Sequence, residues 1–562
     1  MPYPIKYIEN NLVWNNEGEC FAYYELIPFN YSFLSLEQKD AVHDAFRQLI
    51  AQNRDGKIHA LQISTESSIC AAQECSKKSV TGRLKEIACA EIDEQTENLV
   101  ASLGDTQVDY RFFIGFKLVV TDKELSVKEV GNAAKNLLHD AVNAIGHSFM
   151  GDFVSMPNDE IRRYSRMEKL MENKLSRRFK VRRLDKNDFG YLLEHIYGRT
   201  GTAYEDFEFT LPLEKRKRDT LVKRYDLIKP ARCLIEEKQR YLHMKSEDSE
   251  SCVAYFTISD VVGELDFPSS EIFYYQEQQF DFAIDTSMNV EIITNKAALH
   301  TVRNKKKELK DLDNHAWENN SETTNQVAEA LDSVDELESV LDQSKESMYK
   351  LSYVVRVTAP DVEELKRRCN QVRDFYDDAS IKLVRPIGDM MGLHNEFIPA
   401  SKRYMNDYVQ YVTSDFLAGL GFGATQMLGE RDGIYLGYNV DTDQNVYVQP
   451  ARAARGVKGS VTNALSGAFL GSLGGGKSLS FNLLTYYAVL NGAQALILDP
   501  KSERGQWKEK LPEIADEINI VNLTSDEENK GMLDPYIIMR KTKDAESLAL
   551  DVLTFLTGIS SR

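Results

Sequence analysis

The sequence is short of several things that would have named a chemistry at once. Its seven cysteines, at positions 20, 70, 75, 89, 233, 252 and 369, include no C-x-x-C pair. An odd count without paired spacing fits a reducing compartment, with buried or free thiols. Nine histidines form no H-E-x-x-H pattern, so a zinc enzyme is not expected. No apolar run approaches the length of about 18 residues that a membrane-spanning helix needs. The longest candidate, Phe112 to Val120, is interrupted by Lys117 and reads as a strand. Glu9 and Asn10 follow Lys6 too soon for a signal peptide. Asn295-Lys296-Ala297-Ala298 lacks the Asp of a guanine-reading N-K-x-D, which removes a small GTPase. Positive charge is also scarce: 68 Lys and Arg stand against 87 Asp and Glu, a net charge of −19. That balance opposes indiscriminate binding to DNA or anionic lipid. A soluble cytoplasmic protein is expected, with any membrane association peripheral.

At 562 residues the chain exceeds one core, and 42% hydrophobic residues support globular domains. Apolar spacing predicts strands at 20–29, 58–64, 110–120 and 252–260, another within 271–294, and helices at 36–51, 79–103, 128–146 and 157–178. Residues 296–349 read as an amphipathic helix, either alone or in a helical hairpin, that covers its own domain or, as the alternative, serves as a partner-docking arm. Residues 351–385 read as a β-α-β unit, with Pro360-Asp361 starting its helix. The densest basic stretch runs from Arg162 to Arg183, and a second lies at Lys215–Arg218. Such runs are usually solvated faces; the functional reading is a contact with nucleic acid or lipid headgroups, with no clear aromatic stacking pattern beside it. Gly419, Gly421 and Gly423 suggest a flexible stretch, and a domain boundary is placed near residue 425. No internal repeat is evident.

One segment does name a chemistry. Residues 471–478 read Gly-Ser-Leu-Gly-Gly-Gly-Lys-Ser, a complete G-x-x-x-x-G-K-[ST] loop. Gly471, Gly474, Gly475 and Gly476 let successive N–H groups converge on phosphates. Lys477 is placed to bridge the β- and γ-phosphates of ATP, and the Ser478 hydroxyl to hold Mg²⁺. The context predicts a strand over 466–470, a helix over 478–490 stopped by Asn491-Gly492, and a buried strand over 495–498 that ends at Asp499. Asp499 is either a Mg²⁺-linked carboxylate or a polar strand end beside the nucleotide. Lys501 and Glu503 follow at the rim, as phosphate or water contacts or as a local ion pair. Arg452 and Arg455 are candidate arginine fingers in a ring.

These residues resemble the large VirB/TraC-type ATPases of conjugative type IV secretion systems, of the kind found in Gram-positive mobile elements. The similarity rests on the phosphate loop, on Ile497-Leu498-Asp499-Pro500-Lys501-Ser502-Glu503, on Leu533-Asp534-Pro535-Tyr536, and more diffusely on residues 18–30, 255–295 and 432–437. It implies an α+β N-terminal domain over residues 1–425 and the first part of an α/β, RecA-like P-loop domain over 426–562. It implies an ATPase, hexameric when complete, at the cytoplasmic face of the membrane. Its partners would be inner-membrane channel subunits and a coupling protein, with a relaxase–DNA substrate handled indirectly. One departure stands out. No apolar strand ending in Asp-Glu follows Asp534, because Leu548-Ala549-Leu550-Asp551 lies in a helical pattern. The sequence therefore reads as truncated before Walker B, with turnover not expected of it alone. An FtsK/HerA-like DNA translocase, or a scaffold that binds ATP without turnover, are the alternatives.

Overall fold

In a computed structural model the described residues are 3–53, 56–104, 106–119, 153–155, 158–197, 221–223, 233–246, 249–261, 267–280, 282–318, 325–442, 444–450, 454, 466–522 and 530–558. The helix expected over 128–146, the basic run at 215–218, and Arg452 and Arg455 lie outside them. The chain divides into two compact units, Met1–Ser79 with Glu91–Leu484, and Val80–Ala90 with Thr485–Arg562.

The first unit is mixed α/β, built on one large antiparallel sheet. Its early strands are β1 (Ile5–Glu9), β2 (Leu12–Asn15), β3 (Cys20–Leu26), β4 (Phe29–Asn30), β5 (Lys57–Ser68), β6 (Thr106–Lys117), β7 (Phe153–Ser155), β8 (Val181–Arg183) and β9 (Leu221–Lys223). The later ones are β10 (Leu234–Glu237), β11 (Leu242–Lys245), β12 (Glu250–Val261), β13 (Ile284–Ile293), β14 (Met348–Ala359), β15 (Ile381–Val384), β16 (Gln410–Val412), β17 (Ala424–Thr425), β18 (Ile434–Tyr438) and β19 (Asn445–Val448). The main sheet runs β1-β2-β3-β6-β5-β13-β14-β12-β11-β10, with β8 on β3, β15 on β12 and β16 on β14.

This order reads the same from either edge. A hairpin (β1-β2 or β10-β11) leads to a long strand (β3 or β12), a helix, a central strand (β5 or β13), helices, and then a strand inserted between those two (β6 or β14). A short strand (β8 or β15) then lies antiparallel to β3 or β12. The halves meet where β5 pairs with β13, with Gln62 opposite Thr286 and Lys57 opposite Glu291. The chain thus contains a pseudo-two-fold repeat, which corrects the expectation of none. The repeat is one of strand order and pairing, which a scan for similar residues does not detect.

Local signals account for the elements. Ser35 and Gln38 form a reciprocal capping box at the start of helix Leu36–Ala51. Asp361 caps Val362–Asp378 by accepting from Glu363 and Glu364 N–H. That helix links β14 to β15, so the expected β-α-β unit forms, but β12 lies between its two strands. Two sequence bounds shift. The helix expected over 79–103 begins at Lys85, after a separate helix Ile69–Ser79. The region 271–294 holds helix Ile272–Gln279 before β13. The charged region 296–349 becomes a hairpin of Asn295–Glu318 and Asn325–Ser344, closed by Arg303–Glu338 and Lys306–Asp335 pairs.

Strand alternation sends neighbours to opposite faces. Phe112 and Val355 join a core under the helices, while Phe113 and Val354 join a second core with Leu192, Leu193 and Leu393. The second face also buries a polar layer. Asp285 accepts from Ser64 N–H at 2.8 Å and from Ser64 Oγ at 2.6 Å, and pairs with Arg356 at 3.1 Å and His195 at 2.9 Å. Tyr23 and Tyr255, on the equivalent strands β3 and β12, each bond a histidine Nδ1 at 2.8 Å, on His59 and His394. Gly419–Gly423 is not a flexible stretch. Leu420 and Phe422 are core residues, and Gly421, at φ +73°, passes Glu271 so closely that a Cβ would stand 2.8 Å from the Glu271 Cβ.

The second unit is small and helical among the described residues. Val80, Ala88, Leu490, Ile514 and Ala545 are buried in it, and Arg83 pairs with Glu517 at 2.9 Å. Its longest element after 490 is Thr542–Thr557, so Leu548–Asp551 is helical as expected.

Candidate nucleotide site

The Gly-rich loop ends where a helix begins, because the glycines stop at Gly476 and no Gly or Pro interrupts the residues from Lys477 to Leu490. The helix spans Lys477–Leu490 and stops at Asn491-Gly492, Gly492 adopting φ +96°. Its first turn carries no acidic residue, so nothing there neutralises the positive end of the helix dipole. Gly474 and Gly476 both have φ +80°, the left-handed region that other residues enter at a cost. A Cβ on Gly475 would stand 3.2 Å from the Ser472 carbonyl oxygen. The backbone favours glycine at Gly474 and Gly476, and a side chain at Gly475 would press on the Ser472 carbonyl. Lys477 Nζ donates to Ser472 O at 2.8 Å, and Gly475 N–H donates to the same oxygen at 3.2 Å. The lysine is thus folded back onto its own loop. Gly471 lies against the Lys477 stem.

The flanking strands expected from the apolar runs do not form. Residues 466–470 and 495–498 form neither strand nor helix, and Leu470, Leu496 and Leu498 are 90%, 91% and 84% exposed. A buried parallel strand needs neighbours on both edges and cover on both faces. Neither run has a pairing partner among the described residues, so its hydrophobicity alone does not make it a strand.

Asp499 terminates the second run and organises the loop after it. Its carboxylate accepts from Arg504 N–H at 2.8 Å and from Lys501 N–H at 3.2 Å, and lies 3.4 Å from the Arg504 guanidinium. The backbone bond from Arg504 is the main reason its carboxyl is held below its usual pKa. Lys501 and Glu503 face each other at 3.9 Å, an exposed pair of small energetic weight. Sequence reasoning did not single out Arg504, which stacks near Trp507 and holds Asp499. The available signal was a cation five residues after the Asp that ends the apolar run. Further on, Asp534 caps Pro535–Ile538 by accepting from Tyr536 N–H, with Pro535 in the first turn. The D-P-Y signature is thus a helix start.

Against known proteins, residues 444–562 match the family model described as an AAA-like domain. Over 97% of its length the chain is also 20% identical to a protein of Bacillus subtilis (strain 168) called uncharacterized protein YddE, and the match covers 67% of that protein. The matched domain contains the whole Gly-rich loop and both aspartate signatures. No helix among the described residues is long and apolar enough to cross a membrane.

Proposed function

We propose that the chain is the ATP-binding motor subunit of a conjugative type IV secretion system, energising channel assembly and DNA–protein transfer. The observation that carries the reading is the loop Gly471–Ser478, with left-handed glycines curled at the start of a helix inside an AAA-like region. Two further features support it: the Asp499-Pro500-Lys501 turn and the Asp534-Pro535-Tyr536 helix start, whose residues resemble motifs of the conjugative ATPases.

In this reading backbone N–H groups of Gly474 and of 476–478 hold the β-phosphate, aided by the helix dipole. Lys477 leaves the Ser472 carbonyl and places its charge against the γ-phosphate, where charge grows during transfer. The Ser478 hydroxyl would hold Mg²⁺, which when bound supplies positive charge against the phosphate oxygens. Asp499 keeps the 500–504 loop in shape, and its own carboxylate is occupied by that task. The nucleotide-binding domain is proposed to begin near residue 426 and to work in a hexameric ring at the cytoplasmic face of the membrane. Channel subunits, a coupling protein and a relaxase–DNA complex are its proposed partners.

The test is transfer itself. In the mobile element that encodes the chain, Lys477→Ala is expected to abolish conjugative DNA transfer while leaving the element's replication intact. Undiminished transfer would reject the motor role, and a replication or segregation defect alone would point to a DNA translocase of another kind.

A further inference from the structure

The stretch that precedes the phosphate loop in the chain is strapped to the first unit. β17 lies parallel to β4, and Asn30 Nδ2 donates to Met427 O at 3.0 Å. Gly433 N–H donates to the buried Ser76 Oγ at 2.8 Å, and Arg431 pairs with Asp109 of β6 at 2.9 Å. The two ends of this strap meet on one side chain, Glu277 of helix Ile272–Gln279. Glu277 Oε2 accepts from Gln426 N–H at 2.5 Å, and Oε1 accepts from Gln444 Nε2 at 3.2 Å.

Glu277 is badly placed for an anion. It is 9% exposed, and both of those donors are uncharged. The charges around it do not help. Asp109 repels it, Arg431 is spent on Asp109 and also lies close to Glu25 and Arg111, and Glu430 lines the same cleft as Asp109 and Gln444. Burial first, and the Asp109 charge after it, push the Glu277 pKa up to about 7 against the bonds from Gln426 and Gln444. A proton on this carboxyl also has somewhere to point. Gln444 Oε1 is buried and without a hydrogen-bond partner among the described residues. A half-turn of the Gln444 amide presents that oxygen to Glu277, at the cost of the 3.3 Å bond from Nε2 to Val108 O. Glu277 Oε1–H then donates to Gln444, while Oε2 keeps the Gln426 N–H.

We infer that Glu277 is a proton-operated clasp that fastens the strap of residues 426–444 to the first unit and holds it most tightly when the carboxyl is protonated. Linkage gives the direction. With the strap lifted, the carboxyl returns to water and to its ordinary value of 4.5. Between that value and about 7 the fastened form binds more protons, so falling pH tightens the clasp. Above 7 the strap rests on a buried anion and loosens.

The clasp stands apart from the Gly-rich loop, so its test needs no ATP. Hydrogen exchange of the full chain is followed on peptides within 424–449, with rates corrected for intrinsic exchange at each pH. In the parent, opening of the strap is expected to be about tenfold rarer at pH 6 than at pH 8, about one decade per pH unit below 7. Glu277→Gln has the shape and the donor of the protonated acid. It is expected to show at pH 8 the protection that the parent reaches at pH 6, with the pH step gone. Glu277→Ala is expected to exchange fast at both. Peptides from β13 and β14 should exchange alike in the parent and in Glu277→Gln, which shows that the sheet is intact. The same pH step in Glu277→Gln as in the parent would overturn the inference, since another group would then be titrating. So would a parent strap that becomes better protected as pH rises.

Discussion

The body of the sheet and the segment from 466 to 558 use the same kinds of residue to opposite effect. In the first, Phe112, Val354 and Val355 are fully buried because each strand has neighbours on both edges and helices or loops over both faces. In the second, Leu496, Leu498, Leu553 and Phe555 are as apolar, yet they are exposed. What survives in the second region is what local chemistry alone can build. It keeps a glycine curl, helices with their stops, and aspartate caps. Sheets are non-local objects, and an apolar run has no strand geometry of its own until another strand supplies its hydrogen bonds.

The widest gap between the regions is expected in their response to substitution. Asp285→Ala leaves Arg356, itself 1% exposed, buried without its carboxylate, and should cost about 3–5 kcal/mol in urea unfolding. A loss below about 1 kcal/mol would show that the polar layer is not part of what holds the halves together.

Acid should act through the same layer. Tyr23 OH accepts from Ala400 N–H and donates to His59 Nδ1, so His59 carries its proton on Nε2, facing the Glu396 carbonyl. A charged ring has no acceptor for Tyr23, and burial lowers the His59 pKa to about 4. With the folded value depressed, the stabilisation is present above the unfolded pKa of about 6.5 and is lost as pH falls toward 4. His59→Gln should flatten the fall in stability between pH 6.5 and pH 5 by about 1.4 kcal/mol per pH unit. Burial raises Glu277 to about 7, which gives the opposite sign, so the difference between parent and variant is the quantity to measure. An identical slope in both would remove His59 from the account.

Smaller effects sharpen the contrast. Gly421→Ala combines a left-handed backbone with a contact at Glu271 and should cost about 1–3 kcal/mol. Leu498→Ser, in the exposed run, should change stability by less than about 0.5 kcal/mol. A larger loss there would mean that residues 495–498 are covered in solution.

The legible part of the sequence follows the same division. Helix 36–51 was readable to the residue because spacing and the helix periodicity agree. The stop at Asn491-Gly492 and the start at Asp361 were readable because caps act over a few residues. The meeting of β5 with β13, more than 200 residues apart, was not, since nothing in Gln62 or Thr286 names its partner. Nor was the cluster of Asp285, His195 and Arg356, which one strand, one helix and a second strand bring together. At the candidate site the glycine curl and the helix start after it were legible because the motif is contiguous. The parking of Lys477 on Ser472 and the hold of Arg504 on Asp499 were not, because each depends on a turn of the backbone. The strands at 466–470 and 495–498 were misread because hydrophobicity reports a wish for burial and says nothing of what supplies it.

The central claim is that the loop Gly471–Ser478 binds ATP through Lys477. Titration calorimetry of ATP-Mg²⁺ into the parent chain and into Lys477→Ala tests it most directly. The account predicts saturable binding by the parent and at least about tenfold weaker binding by the variant, the loss of roughly 1.4 kcal/mol or more from a charge-assisted contact. Equal affinity in the two proteins would contradict it and take Lys477 out of the site.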